Sequence, residues 1–198
     1  MSAVLSEVLR DPRVWQGPRH ALPEVEATGH ASLDAALPGG GLPVGALTEV
    51  LHAYDGTNEL TLLLPLITRL AQARRRIVFV HPPYIPYAPA FVTAGVDPWL
   101  LHTITNCGDE GLWAAEQCLR SSTCALVACW PKLANDRQLR RLQLAAEGGR
   151  AIGILFRPAR TAQTASPAAV RLHADAQGVQ VLKCRGGNAR QQRIAIRC

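Results

Sequence analysis

An open, mostly parallel α/β sheet, flanked by helices and ending in an antiparallel hairpin, is the fold class the sequence predicts. Three observations carry it. Strand and helix patterns alternate from Ala46 to Phe156. The run Arg76-Ile-Val-Phe-Val80 is apolar without alternation, as in strands buried on both faces of a parallel sheet. Residues 170–174 and 178–184 are short alternating runs around Asp175-Ala-Gln-Gly178, the signal of a hairpin. Alternating β and α patterns followed by such a piece imply a parallel sheet with an antiparallel edge.

The elements follow in order. Residues 1–32 read as an arm, because Pro12, Pro18 and Pro23 break any long element. Within it Val4, Leu5, Val8 and Leu9 are spaced for one short amphipathic helix, with Trp15 as an anchor. Ser32 or Asp34 opens another short helix ending at Leu37, and Pro38-Gly-Gly-Gly41 stops it. Residues 46–51 read as a strand. Residues 60–73 read as a helix with Pro65 in its first turn or kinking it. After Arg76–Val80 and the loop His81-Pro-Pro-Tyr-Ile-Pro-Tyr87 come a short helix over 88–94 and a strand over 100–105. Residues 109–121 form a helix with Leu112, Ala115 and Leu119 on one face, and 124–130 a strand. Asn135 or Asp136 caps a helix that turns Leu139, Leu142 and Ala146 inward and stops at Gly148-Gly149. Residues 151–156 are a fifth strand, and 193–197 add one after the hairpin. The organisation is an arm (1–32), an α/β domain (33–184) and a basic tail (185–198).

Composition excludes several classes. The 198 residues suit one domain, and 48% hydrophobic against 18% charged residues argue against disorder. Arg69, Arg74, Arg75 and Arg76 interrupt the most apolar stretch, so no bilayer-spanning run of ~18 residues exists. The first ten residues lack the basic start and apolar centre of a signal peptide. The six cysteines (107, 118, 124, 129, 184, 198) form no C-x-x-C pair. They read as buried or reduced thiols in a cytosol and not as a zinc or redox site. The expectation is a cytoplasmic protein.

Catalytic chemistry has no visible carrier. The histidines show no metal spacing, no G-x-S-x-G elbow occurs, and no cysteine has a nearby histidine in sequence. In an α/β fold the first strand–loop–helix turn binds phosphates, and here it runs Leu51-His-Ala-Tyr-Asp-Gly-Thr-Asn-Glu-Leu60. A phosphate-binding loop needs glycines, a lysine and a Ser/Thr for Mg²⁺. This turn has one glycine, Gly56, no lysine, and carboxylates at Asp55 and Glu59. Pro38-Gly-Gly-Gly-Leu-Pro-Val-Gly45 precedes the strand and opens no helix, so it reads as a structural turn. No catalytic, cofactor-binding or metal-ligating residue is assigned, and the expectation is a non-enzyme without cofactor.

These residues carry a resemblance. Leu33-Asp-Ala-Ala-Leu37, Gly40-Gly-Leu-Pro43, Gly45 and Glu49 resemble the entry segment of RecA-family recombinases, over roughly residues 30–184. More closely, several stretches are similar to the ImuA family, RecA-like proteins of bacterial mutagenesis cassettes, and to the related SulA cell-division inhibitors. They include Leu62-Leu-Leu-Pro65, His81-Pro-Pro-Tyr84 with Tyr87-Ala-Pro89, Leu112-Trp-Ala-Ala-Glu-Gln117, Leu139-Arg-Arg-Leu-Gln-Leu-Ala-Ala-Glu147 and Phe156-Arg-Pro158.

The resemblance implies a RecA-like fold. It implies an adaptor of SOS-induced translesion synthesis that works with RecA, an ImuB-type Y-family-like protein and its error-prone replicative-type polymerase complex. A SulA-type inhibitor of the cell-division polymer FtsZ is the alternative, and a divergent RecA-like ATPase a third class. In the recombinase pattern the Walker A lysine falls near Thr57 or Asn58, its Ser/Thr near Glu59, the catalytic glutamate near Pro83, and the Walker B acid at Cys129 or Trp130. Phosphoryl transfer rests on charge placement around Mg²⁺ and phosphate, so these departures predict no ATP hydrolysis.

Charge and aromatics point to surfaces. Residues 1–68 balance at −5 and residues 69–198 at +11. Lys183, Arg185, Arg190, Arg193 and Arg197, with no acid after Asp175, attract a polyanion or an acidic partner, or are a solvated terminus. Arg157 and Arg160 lie where recombinases place DNA-contacting residues. That loop looks short, leaving room for weak electrostatic DNA binding only. Arg137, Arg140 and Arg141 form a stripe for a partner or phosphates, or a solvated face. Trp130 falls at a strand's carboxyl end, where a recombinase would bind substrate. The stiff aromatic loop with Tyr84 and Tyr87 is the preferred partner contact. Oligomeric state is open.

Overall fold

Aliphatic runs too short for helices become inner strands when both their faces are covered. A computed structural model describes residues 24–55, 59–187 and 190–196. The expected helix at Val4–Leu9, Trp15, the loop residues Gly56, Thr57 and Asn58, and Arg197 lie outside the described residues.

The strands are β1 (Val25–Glu26), β2 (Leu42–Pro43), β3 (Ala46–His52), β4 (Arg76–Val80), β5 (Leu101–Ile104), β6 (Cys124–Cys129), β7 (Ile152–Pro158), β8 (Val170–Asp175), β9 (Gly178–Cys184) and β10 (Arg190–Ile194). The helices are α1 (Ala31–Asp34), α2 (Glu59–Gln72), α3 (Ala88–Thr93), α4 (Gly111–Arg120) and α5 (Asp136–Gly149). The main sheet has the order β10-β9-β8-β3-β7-β6-β4-β5. Neighbours from β8 to β5 are parallel, while β9 and β10 pair antiparallel. The fold is an open, mostly parallel α/β sheet flanked by helices, with an antiparallel C-terminal hairpin.

Each face carries its own core. Leu62, Leu63, Leu66 and Ile67 of α2 and Phe91 of α3 pack with Ile77, Phe79 and Ile154 on one side. Ala115 and Leu119 of α4 and Leu139, Leu142 and Ala146 of α5 pack with Val78, Val80 and Val127 on the other. The cap of α5 forms as the local sequence dictates. Asn135 Oδ1 accepts from the Gln138 N–H at 2.9 Å, and the Gln138 side chain accepts from the Asn135 N–H at 2.9 Å, a reciprocal capping box.

Several expectations are corrected. Residues 24–32, the described end of the expected arm, pack on the domain. β1 pairs antiparallel with β2, and the Glu26 carboxylate accepts from Arg75 at 2.9 Å and Arg69 at 3.3 Å. Asp34 does not open a helix: α1 begins at Ala31, and Asp34 accepts from the Thr28 N–H (2.7 Å) and hydroxyl (2.8 Å). Pro65 is the seventh residue of α2, with the helix unbroken around it. The last strand comes earlier than expected, at Arg190–Ile194. Gly148-Gly149 do not stop α5. Arg150 takes the left-handed position at φ 53°, and Gly149 serves a different purpose, because α5 crosses the end of α4 there.

A Cβ added at Gly149 would collide with the Leu119 carbonyl oxygen. Gly→Ala inside an isolated helix gains up to about 1 kcal/mol. Gly149→Ala is expected to lower the urea midpoint instead, with a loss of about 2 kcal/mol from the forced shift. Gly148→Ala, where a Cβ meets nothing, is expected to be neutral or stabilising in the same measurement.

Candidate functional site

In an open α/β sheet the crevice lies outside the carboxyl ends of strands whose chains leave to opposite faces. Here β4 leads to α3 on one face and its neighbour β6 leads to α5 on the other. A cleft of about 560 Å³ opens at that point, and residues at the ends of four strands line it: His52 and Asp55, His81 and Tyr84, Trp130 and Lys132, Phe156 and Arg160.

Rings form the cleft's inner wall. The Trp130 indole stacks on Phe156 with centroids 4.5 Å apart and planes 19° apart. Phe79 meets Trp130 edge-on at 5.6 Å, and His52 meets Phe156 edge-on at 6.2 Å. Such pairs add about 0.5–1.5 kcal/mol each beyond area burial. Cys129, where a Walker B acid would end its strand, is buried, and burial pushes its thiol up to about 12 with Cys107 nearby adding to it. A neutral thiol and an indole therefore stand at the carboxyl end of β6. Asp55 lies 3.6 Å from His52 Nε2. Glu59 is buried in the first turn of α2, placing a carboxylate at the helix end that would otherwise attract phosphate.

The proline loop continues this wall outward. Tyr84, Ile85 and Tyr87 are 68%, 89% and 72% exposed. Beneath them an apolar groove of about 320 Å³ runs between the loop and α2, lined by Leu60, Leu64, Phe91 and Trp130. Three prolines hold three large side chains out in water above a hydrophobic floor.

A second constellation lies across the sheet. Glu49 of β3 is fully buried and sits in register with Arg171 of β8, while Arg157 of β7 is paired two residues on, with Leu51. Arg171 Nε donates to Glu49 Oε2 at 2.6 Å, Arg157 Nη1 to Oε1 at 2.7 Å, and the Ser166 hydroxyl to Oε1 at 2.9 Å. Arg171 also donates to the carbonyls of Thr161, Ala162 and Thr164, and Arg157 to that of Ala134 at 3.4 Å. One carboxylate thus ties both loops that border the cleft.

The predicted cations do not form one patch. Arg157 is not a surface contact: it is 6% exposed and held by Glu49, because an acid in the neighbouring buried strand requires a partner. Lys183 also turns inward, its Nζ donating to the Ser166 carbonyl at 2.7 Å. Burial, with Arg185 and Arg171 nearby, holds that ammonium below its ordinary range. Arg185 is exposed and donates to the Pro167 carbonyl. Arg193 pairs with Asp175 at 2.8 Å at the far edge. Arg190 lies in β10. Arg160 is exposed on the cleft rim. Arg137, Arg140 and Arg141 are exposed together on α5.

Sequence reasoning misses Arg171, Ser166 and His52. The signal for the first two was Glu49 itself, a lone acid inside the apolar run Ala46-Leu-Thr-Glu-Val-Leu51, which must be paired if the strand is buried. Among the described residues no cluster of three metal-ligating side chains occurs, and no helix is long and apolar enough to cross a membrane.

Together these features define an open α/β domain whose strand-end crevice is walled by rings. No family model matches the sequence, and no curated protein does. Among solved structures the chain is similar to SulA from Pseudomonas aeruginosa, at 20% identity over 56% of this chain and 97% of that one, with a TM-score of 0.46.

Glu49→Gln removes the charge that balances two buried guanidiniums, and its expected cost is about 3–5 kcal/mol in urea denaturation. The exposed Arg140→Ala is expected to stay within about 0.5 kcal/mol. Cys129 has a folded pKa near 12 against an ordinary 9.0. Its raised value favours folding below pH 9, and that contribution is lost as pH rises from 9 towards 12. Cys129→Ala is therefore expected to lose less stability than the parent over that window in pH-dependent thermal melts.

Proposed function

We propose that this chain is a non-catalytic RecA-fold adaptor in SOS-induced translesion DNA synthesis. It acts through protein–protein contacts with RecA, an ImuB-type polymerase-like partner and the associated error-prone polymerase complex. The observation that carries this reading is the stacked Trp130–Phe156 pair with the buried Cys129 thiol at the strand ends, where phosphoryl transfer would require charges on a metal and a triphosphate. The motif resemblance at Gly40-Gly-Leu-Pro43, His81-Pro-Pro-Tyr84 and Leu139 to Glu147 supplies the biological setting.

The contact surface is the loop from Pro82 to Tyr87 with the groove beneath it. Prolines restrict the loop before any partner arrives, so little conformational freedom is lost on docking. Tyrosines present large area through few rotatable bonds and are enriched among residues that dominate interfaces.

Affinity capture from DNA-damaged cells tests the reading. RecA and the polymerase-like partner are expected on the wild-type bait, and Tyr84→Ala with Tyr87→Ala is expected to reduce their recovery about tenfold with an unchanged melting temperature. Retention of neither protein, together with stoichiometric loss of FtsZ polymerisation on mixing, would replace the adaptor by a division inhibitor. Calorimetry is expected to show no Mg-ATP binding; micromolar affinity would overturn the non-catalytic reading.

A further inference from the structure

We infer that the outer face shared by α4 and α5 is a docking surface for a short acidic, amphipathic segment of a partner protein. The surface is separate from the proline loop, and the inference does not depend on the reading above.

Exposed positions on α5 fall on one stripe. Arg137, Arg140, Arg141 and Leu144 lie within about 100° of arc at 3.6 residues per turn, and all four are exposed. Leu144 on the stripe is 65% exposed; Trp113 of α4, 56% exposed, lines with Arg141 and Glu116 a small depression of about 120 Å³ between the two helices. Three cations and two large apolar side chains therefore share one face.

The face already holds one carboxylate. Glu116 of α4, nearly buried, accepts from Arg120 Nη2 at 2.7 Å and from Arg141 Nη2 at 2.5 Å. Arg137 and Arg140 form no ion pair or hydrogen bond among the described residues, and Arg137 lies one turn from Arg141. Their guanidiniums suit carboxylates two at a time, and the depression lined by Trp113, Leu112 and Leu142 offers apolar contact for an anchoring side chain.

The limits of the patch select the occupant. Asp136 precedes the stripe, and Glu147, which accepts from Gln143 at 2.8 Å, closes its other end. A phosphate chain followed along the helix would meet both acids, and backbone binding of nucleic acid requires many cations in a track. A short segment with a few carboxylates around one or two apolar side chains fits between those acids and meets Arg137 and Arg140, while Glu116 is already paired with Arg120 and Arg141.

A fluorescein-labelled helical peptide, with Asp and Glu on one face and Leu and Phe on the other, tests this against the full chain by anisotropy. The parent is expected to bind it, and binding weakens as salt rises. Arg137→Glu with Arg140→Glu is expected to weaken it about tenfold or more, and Trp113→Ala about fivefold, with unchanged melting temperatures. Arg140→Gln is a milder variant for the same titration, with a smaller loss. The proposal is overturned if the peptide does not bind, if these variants bind it as the parent does, or if a single-stranded thymidine oligonucleotide of equal charge binds the parent more tightly and loses affinity in the same arginine variants.

Discussion

One buried carboxylate holds this structure's open half together. The connection from β7 to β8 passes through a polar segment, Arg160-Thr-Ala-Gln-Thr164, at the end of the sheet that Glu49 organises. Glu49 fixes Arg157 and Arg171, whose remaining N–H groups donate to the carbonyls of Ala134, Thr161, Ala162 and Thr164. The cluster resembles a small polar core: fully satisfied it specifies one arrangement, and partly satisfied it is worse than apolar packing. Because Arg157 reaches Ala134 and Arg171 reaches Thr161 to Thr164, the borders of the strand-end cleft inherit their positions from it.

Rings wall the cleft at the strand ends. The geometry that gathers loops at the strand ends comes from alternating connections and does not depend on what fills the space. Trp130, Phe156, Phe79 and His52 fill it with edge-on and stacked contacts, and the buried thiol of Cys129 adds no charge. The proline loop then extends the hydrophobic wall to the surface, where Tyr84, Ile85 and Tyr87 stand exposed. The result is a scaffold with an exposed apolar surface at one end and, on the α4–α5 face, a bounded cationic surface.

Sequence patterns were legible where a local rule suffices. Arg76–Val80 is a strand because five residues cannot form a stable helix and both faces are covered. Asn135 caps α5 because its side chain reaches only its own helix. Where a partner comes from far along the chain, pattern reading fails. Gly149 looks like a helix stop, yet its hydrogen side chain is required by Leu119 of another helix. Asp34 looks like a helix start, yet its oxygens serve Thr28.

From the sequence alone came the α/β class, the order of elements, the terminal hairpin, and a first strand–helix turn with no lysine and two carboxylates. Those follow from periodicity and composition, which are local. Only the tertiary structure decided which charges are surface and which are structural: Arg157 and Lys183 face inward, Arg137 and Arg140 outward, and Glu49 sits against residues 108 and 122 positions away. Pairing across strands depends on register and sheet order, and a one-dimensional pattern carries neither.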